Sequence, residues 1–193
     1  MGEPRSLRAD AVRNRARLLQ VAYETFASDG LAVPIDEIAR RAGVGPGTVY
    51  RHFPTKDALF AAIVADRLAH HTAYAGQMAE RTEPGPAFFA FLDWVVREGG
   101  VDQGLMEALA GTGFDLATAV PEAEQEWLRA FERLLTAAQA SGDVRSDLGV
   151  ADLKSLVVGY QALLRHRADP AAADRLITML NAGLVPPVRD DHA

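Results

Sequence analysis

The stretch that decides the fold runs from Ile35 to Lys56 and reads IDEIARRAGVGPGTVYRHFPTK. Apolar residues recur at helical spacing before Gly43 and again after Pro46, which predicts two short helices with a tight connection. A glycine can adopt the left-handed conformation that ends a helix, and a proline suits the first turn of the next one. The stretch therefore predicts two helices that cross steeply over a turn of three or four residues.

Two helices that cross over a glycine-containing turn form a helix-turn-helix, whose second helix can enter the major groove of DNA. Ile38, Val44 and Val49 are expected to fill the small core beneath the crossing, which leaves the positions between them exposed. The second helix, from Pro46 to Phe53, is about 12 Å long, and the major groove is about 12 Å wide. These dimensions favour a DNA-binding helix.

Helical periodicity continues on both sides of this motif, and no alternating segment of strand length stands out. The first helix is expected to start at Asp10 and to turn Val12 and Ala16 inward, and Gly99-Gly100 is expected to end the fifth. The predicted helices cover residues 10–27, 34–42, 46–53, 56–81, 88–98, 105–109, 121–141, 150–168 and 170–184. The pattern predicts an all-α protein of about nine helices, with an N-terminal three-helix helix-turn-helix domain and a C-terminal helical bundle.

The charge is divided unevenly along the 193 residues, and the whole chain carries −6. Residues 1–60 hold nine Lys and Arg against seven Asp and Glu, whereas residues 61–193 hold eleven against nineteen. Only the contacting face of a protein must be positive to attract phosphate, so this distribution is compatible with DNA binding. Arg5 and Arg8, ahead of the predicted first helix, fit either an arm that enters a minor groove or a solvated basic tail.

The composition disfavours several other classes of protein. The chain has no cysteine, which excludes thiolate catalysis and cysteine metal sites, and no nucleophile elbow or His/Asp pair suggests an enzyme. Asp66, His70 and His71 could contribute to a metal site, but stable zinc sites need three or four ligands, so neither metal nor cofactor is expected. The N-terminus lacks the apolar run of a secretory signal and no stretch reaches membrane-spanning length, so a cytoplasmic location without membrane contact is expected.

The segment around the predicted turn resembles the N-terminal domain of the TetR family of one-component transcriptional regulators. The resemblance rests on Ile38-Ala39 followed by Ala42-Gly43-Val44, and on Gly47-Thr48-Val49-Tyr50 followed by Phe53 and Lys56. The stretches GLMEALAGT (104–112) and LLTAAQASGDVRSDL (134–148) are similar to the SbtR-like C-terminal domain of that family. The resemblance implies a DNA-binding domain over 1–55, a ligand-binding and dimerisation domain over 56–187 and a tail over 188–193.

The resemblance also implies which residues meet DNA. Thr48 and Tyr50 match positions that touch the DNA backbone or bases, and Lys56 matches a lysine that grips phosphate. Arg51 and His52 could reach phosphates or a guanine edge, although His52 fits a surface histidine equally well. The candidate DNA-binding residues are Gly45, Pro46, Gly47, Thr48, Tyr50, Arg51, His52 and Lys56.

Two departures from the family pattern predict that few side chains contact DNA bases. Pro34 stands where a Ser or Thr usually precedes helix two, which removes a hydroxyl for phosphate. Residues 45–47 open the recognition helix with almost no side chain, so a bidentate base contact, worth about 1–3 kcal/mol, is available only from Arg51. Specificity is therefore expected to lean on Thr48, Arg51, close backbone approach and DNA shape.

The apolar residues of the C-terminal half fit two interpretations. They line a cavity for a lipophilic or amphipathic effector, which the resemblance implies, or they fill an ordinary core. The candidate ligand-binding residues are Tyr74, Gln77, Met78, Phe88, Phe91, Leu92, Val95, Leu105, Met106, Leu109, Trp127 and Phe131. Further polar candidates are Asp93, Arg97, Glu107 and Gln161.

The last two predicted helices carry apolar stripes that fit core packing or a dimer interface. One helix-turn-helix makes too few contacts for a specific affinity of roughly 10⁻⁸–10⁻¹¹ M, so pairing on two half-sites is expected. The candidate interface residues are Leu153, Leu156, Val157, Tyr160, Leu163, Leu164, Leu176, Ile177 and Leu180.

These patterns together favour a homodimeric repressor that a small molecule releases from a palindromic operator in double-stranded DNA. The alternative is a helical interaction module of the same fold that has lost specific operator binding.

Overall fold

The computed structural model describes residues 3–110, 113, 115–165 and 170–187, and the side chains of 12–97, 109, 113, 115, 118–163 and 171–187. Within these residues the chain forms nine helices and no strand, which confirms the all-α prediction. The helices are α1 Glu3–Asp29, α2 Ile35–Ala42, α3 Pro46–His52, α4 Lys56–Arg81, α5 Pro84–Ala110, α6 Leu116–Ala119, α7 Pro121–Ala140, α8 Val150–Arg165 and α9 Pro170–Leu184. None of the helices in these ranges is both long and apolar enough to cross a membrane.

The helices form two compact units. The first unit contains the described residues of 1–67 and 104–121, and the second contains those of 68–103 and 122–193. In the first unit α1 packs on α2 and α2 packs on α3. The division of the chain at residues 55 and 56 that the resemblance implies stays a prediction.

Two predicted helix ends are wrong. α1 begins at Glu3 rather than Asp10, because nothing between residues 5 and 9 interrupts a helix. α5 continues through Gly99-Gly100 to Ala110, so the separate helix expected at 105–109 is the end of α5. A glycine pair costs about 2 kcal/mol inside a helix, which the burial of neighbours such as Val96 and Leu109 offsets.

The inward face of α1 also differs from the prediction. Val12 is 69% exposed and Ala16 is exposed, whereas Leu18 and Leu19 are buried. The periodicity of Val12 and Ala16 is helical, but neither of these two side chains is buried. Leu18 is therefore the first described side chain of α1 that is buried in the core.

Three side-chain contacts tie α5 to α8 and α9 within the second unit. Gln161 Nε2 on α8 donates to the carbonyl of Val95 at 2.9 Å, and Asn181 Nδ2 on α9 donates to Asp93 Oδ1 at 2.8 Å. Arg97 and Asp174 form an exposed ion pair at 2.8 Å. The polar side chains of Asp93, Arg97 and Gln161 thus make structural bonds between helices.

The start of α5 fits closely against the turn that follows α7. Gly85 is buried, and a Cβ added there would lie 2.4 Å from the carboxylate of Asp143. The amide of Asp143 donates to Ala138 at 3.0 Å, and its Oδ2 accepts a hydrogen bond from Ser141 at 2.6 Å. Glycine at 85 is therefore required for this turn to approach α5.

Candidate nucleic-acid interface

The turn between α2 and α3 has the predicted geometry. Gly43 ends α2 with φ 68° and ψ 30°, in the left-handed region that favours glycine. Its amide donates to the carbonyl of Arg40 at 3.2 Å, and the amide of Val44 donates to Ala39 at 3.0 Å. These two bonds satisfy carbonyls at the end of α2 and fix the direction in which the chain enters α3.

Burial on one side of α3 determines which residues face solvent. Val49 is 0% exposed and Phe53 is 3% exposed, and both pack in the core of the first unit with Ile38 and Ala39. Helical spacing then turns the residues between Val49 and Phe53 outward. The recognition helix is thus held by its apolar side, while the side chains of the opposite side are exposed to solvent.

The predicted DNA-binding residues of α3 lie together on this exposed side. Gly45, Pro46, Gly47, Tyr50, Arg51 and His52 are exposed, and Thr48 is half-buried. Arg51 Nε donates to the carbonyl of Gly47 at 3.1 Å, which lays the guanidinium back along α3. A guanidinium has five N–H donors, so the remaining ones are available for a paired contact with a base or phosphate.

Lys56 has a structural role that the sequence did not indicate. Its Nζ donates to the carbonyl of Val33 at 2.9 Å and lies 5.6 Å from the ring centre of Phe26 and 6.0 Å from that of Phe60. The ammonium therefore links the connection between α1 and α2 to the first turn of α4. Its role at a DNA phosphate stays a prediction.

Replacing Lys56 with methionine is expected to lower the free energy of unfolding by about 1–3 kcal/mol and to weaken DNA binding. The loss combines a charge-assisted hydrogen bond with cation–π attraction to two rings. Denaturant unfolding and DNA titration at equal folded fraction measure the two effects separately. Lys154→Met is the control, because it removes an ammonium that pairs with Glu124 at 2.6 Å in the second unit. Wild-type stability in Lys56→Met would contradict the structural role.

An exposed ion-pair network joins α2 to the end of α1. Arg41 contacts Asp29 at 2.7 Å and Glu37 at 2.8 Å, and Arg40 contacts Glu37 at 2.7 Å. Hydrogen bonds from Arg40 and then Arg41 lower the pKa of Glu37 to about 2. Hydrogen bonds from Ser28 and then Arg41 lower the pKa of Asp29. We call these four charges the Asp29–Arg41 network.

The predicted N-terminal arm is part of a helix. Because α1 begins at Glu3, Arg5 and Arg8 belong to its first turns and do not precede it. The side chains of these two arginines lie outside the described residues. Sequence reasoning missed the helix because it took Asp10 as the N-cap.

Family comparisons agree with this geometry. The family described as bacterial regulatory proteins, tetR family, matches residues 18–63, and the family described as transcriptional regulator SbtR-like, C-terminal domain, matches residues 83–186. The chain belongs to the TetR family. The resemblance that the sequence motifs carried is thereby confirmed, including the SbtR-like C-terminal domain of this TetR regulator.

Solved and curated relatives of this TetR regulator are also transcriptional regulators. A TetR transcription regulatory protein from Mycobacterium vanbaalenii is 47% identical, with 93% of this chain and 99% of that chain covered and a TM-score of 0.77. A TetR transcriptional regulator from Streptomyces coelicolor is 31% identical, with 89% and 98% covered and a TM-score of 0.72. HTH-type transcriptional regulators of Staphylococcus aureus are 39% identical over 54 residues, 28% of this chain and 29% of their own length. The family and these relatives are regulators and not enzymes.

Most of the predicted ligand-binding residues lie in the core of the second unit. Phe131 is 0% exposed, and its ring centre lies 5.3 Å from that of Phe91, 5.9 Å from Trp127 and 6.2 Å from Phe88. The members of this apolar cluster from the predicted set are Phe88, Phe91, Leu92, Val95, Trp127 and Phe131, with Tyr74 and Met78 packed against it. The rings fill this core, and their role as a ligand site stays a prediction.

The other predicted ligand residues are not brought to this cluster. Gln77 is exposed on α4, because the helix turns Tyr74 and Met78 toward the core instead. Leu109 is buried, but it belongs to the first unit. The side chains of Leu105 and Met106 lie outside the described residues.

A groove of about 200 Å³ between α4, α5 and α7 was missed by the sequence reasoning. Its walls carry small residues, among them Ala75, Ala87 and Ala130, with Thr82 and Arg133 as polar members. None of them belongs to the predicted ligand set. Alanine and glycine at helical spacing on α4 and α7 are the signal that could have indicated a groove here.

The predicted dimer residues divide into two groups. Leu153, Val157, Ile177 and Leu180 are buried in the core of the second unit, and their role at a dimer interface stays a prediction. Leu156, Tyr160 and Leu176 are half-buried and Leu163 is 48% exposed, while the side chain of Leu164 lies outside the described residues. Val158 on α8 and Met179 on α9, which are not in the predicted set, are 41% and 66% exposed.

The histidines of α4 pack against an aromatic ring. The ring centres of His70 and His71 lie 5.6 and 4.9 Å from that of Trp94. Within the part of the chain that the structure describes, no three His, Asp or Glu side chains are grouped to hold a metal ion.

Proposed function

We propose that this TetR regulator is a cytoplasmic, homodimeric repressor that binds a palindromic operator through α3 and leaves it when a small molecule binds the C-terminal domain. The observation that carries the proposal is the division of α3 into a buried side, Val49 and Phe53, and an exposed side with Tyr50 and Arg51. An exposed aromatic and an exposed guanidinium on an anchored two-turn helix are suited to DNA contact.

The operator is read by few side chains. Arg51 is the one residue of α3 suited to a bidentate contact with guanine, while Tyr50 and Thr48 supply hydroxyls for phosphate or a base. Gly45 and Gly47 have no protein atom within 4 Å of an added Cβ, so the backbone there can come close to the groove. Close approach without side chains favours recognition of groove width as well as of bases.

Two exposed surfaces support dimerisation through α8 and α9. Val158 and Leu163 on α8 and Met179 on α9 expose apolar side chains to solvent. Gly159 lies inside α8, where glycine costs about 1 kcal/mol, and Gly183 is the penultimate residue of α9; at both positions an added Cβ would meet open space. A second copy that approaches the backbone at these glycines would account for both features.

The effector site is proposed in the aromatic cluster of the second unit. Trp127 is 8% exposed, and its Nε1 donor has no hydrogen-bond partner among the described residues. A buried donor without a partner costs roughly 1–3 kcal/mol, so an apolar effector with one acceptor oxygen would gain from it. α4 contributes residues to both units, so it can carry a coupling free energy of a few kcal/mol at most.

Selection of fragments from a random duplex library by the purified protein tests this function. The wild type is expected to enrich a palindromic motif, and Tyr50→Ala to bind that motif about tenfold more weakly or worse, because it removes an exposed contact without disturbing the core. Phe89→Ala on α5 in the second unit is the aromatic control, because this half-buried ring belongs to neither the DNA-binding nor the dimer candidates. Absence of enrichment by the wild type would contradict operator binding and favour an interaction module of the same fold.

A further inference from the structure

The described part of α1 that precedes Leu18 has no buried side chain. All side chains from Val12 to Arg17 are exposed, and burial begins at Leu18. From Glu3 to Arg17 the helix is about 22 Å long at the helical rise per residue. The part of α1 from Glu3 to Arg17 is defined here as the α1 extension.

The α1 extension is rich in positive charge. Arginine stands at positions 5, 8, 13, 15 and 17, against acidic residues at positions 3 and 10. Apolar residues do not anchor the described part of the extension, since Val12 and Ala16 are exposed with the arginines. Burial of apolar side chains therefore does not account for the described part of this basic helix.

Two of these arginines lie beside the recognition helix. The Arg15 guanidinium is 5.7 Å from the ring centre of Phe53, the residue that ends α3. Arg17 Nη2 lies 3.8 Å from the position of a Cβ added at Gly43, in the turn that precedes α3. Arg15 and Arg17 are thus next to the end of α3 and next to the turn from which α3 starts.

We propose that Arg15 and Arg17 extend the DNA interface by binding backbone phosphates beside the half-site that α3 reads. The proposal rests on the proposed function, because it places duplex DNA against α3. Both side chains are exposed, and they lie beside the residue that ends α3 and beside the turn that precedes it. Guanidinium groups bind phosphate strongly and carry no base preference through that contact, so they raise affinity for all sequences alike.

The test measures how the affinity of the double variant Arg15→Gln/Arg17→Gln for the selected duplex depends on salt concentration. Each phosphate contact contributes a slope of about −0.9 in log K against log salt, and a dimer on the duplex carries four of these arginines, so the double variant is expected to flatten the slope by about 3.6 per dimer. Its preferred sequence is expected to equal that of the wild type. Arg15→Lys/Arg17→Lys keeps both charges and is expected to retain the wild-type slope.

Arg129→Gln/Arg133→Gln is the matched control, because it removes two exposed arginines of α7 in the second unit. Its slope is expected to equal the wild-type slope. A wild-type slope in folded Arg15→Gln/Arg17→Gln overturns the inference, as does a changed sequence preference, which would make these residues base readers. A wild type that binds no duplex overturns the proposed function itself. Thermal unfolding of every variant, compared with that of Arg15→Lys/Arg17→Lys, distinguishes a loss of folded protein from a loss of DNA contacts.

Discussion

Replacing Phe131 with alanine is expected to lower the free energy of unfolding by about 3–5 kcal/mol. Phe131 is 0% exposed and its ring contacts Phe88, Phe91 and Trp127. The substitution removes this apolar surface and leaves a cavity that helices on several sides cannot close. Urea unfolding followed by tryptophan fluorescence measures the loss, since both tryptophans, Trp94 and Trp127, belong to the second unit.

The Phe131 variant also distinguishes the two interpretations of the aromatic cluster. Leu128→Ala, at a half-buried position one turn earlier on α7, is the control and should cost clearly less. A loss near 1 kcal/mol for Phe131→Ala would contradict a filled core, because a ring that borders an existing space has fewer contacts to lose. The full loss would mean that an effector must displace packed rings to enter.

Replacing Gly85 with alanine is expected to lower the free energy of unfolding by about 1–3 kcal/mol. The new Cβ would lie 2.4 Å from the Asp143 carboxylate and 2.5 Å from its Cβ, so rotation of that side chain cannot remove the clash. The hydrogen bonds of Asp143 to Ala138 and Ser141 resist a backbone shift. Chemical denaturation of the purified variant measures the effect.

Two companion variants make the origin of this loss explicit. Gly76→Ala on α4 has no atom within 4 Å of the new Cβ, so it should be neutral or stabilise by up to about 1 kcal/mol through helix propensity. Asp143→Gly should relieve much of the clash when combined with Gly85→Ala, giving a favourable interaction free energy in a double-mutant cycle. Additive losses would show that Gly85 acts through the backbone and not through Asp143.

The helix-turn-helix was predictable because its determinants are local. Gly43 and Pro46 set backbone conformation by their own covalent structure, and the spacing of Ile38 and Val49 fixes the buried side whatever the rest of the chain does. The exposure of Tyr50 and Arg51 then follows from helical geometry. Nearly all of the DNA-binding candidates could be placed on this basis.

Features that depend on distant neighbours could not be predicted. Lys56 meets Val33 and two rings only after α1 and α4 have packed, and Gly85 meets Asp143 across 58 positions of sequence. Periodicity identified the apolar stripes of α8 and α9 but did not separate Leu153, which is in the core, from Leu163, which is exposed. Periodicity also predicted wrongly that Val12 faces inward, because the apolar spacing of a helix does not show where its buried part ends.

The Asp29–Arg41 network affects how the salt dependence of DNA binding by this protein must be interpreted. Its two arginines and two carboxylates cancel, so Arg40 and Arg41 add no net attraction for DNA even though they lie on α2 of the motif. The pairs are exposed, and mobile ions weaken them in the same concentration range in which they compete for phosphates. Rising salt thus weakens the ion pairs that join α2 to α1, and it also weakens the attraction between the protein and the DNA phosphates. The number of released ions inferred from the salt slope of the wild type alone will therefore exceed the number of phosphates that the protein contacts. The difference in slope between two variants that both retain the network gives the number of phosphate contacts.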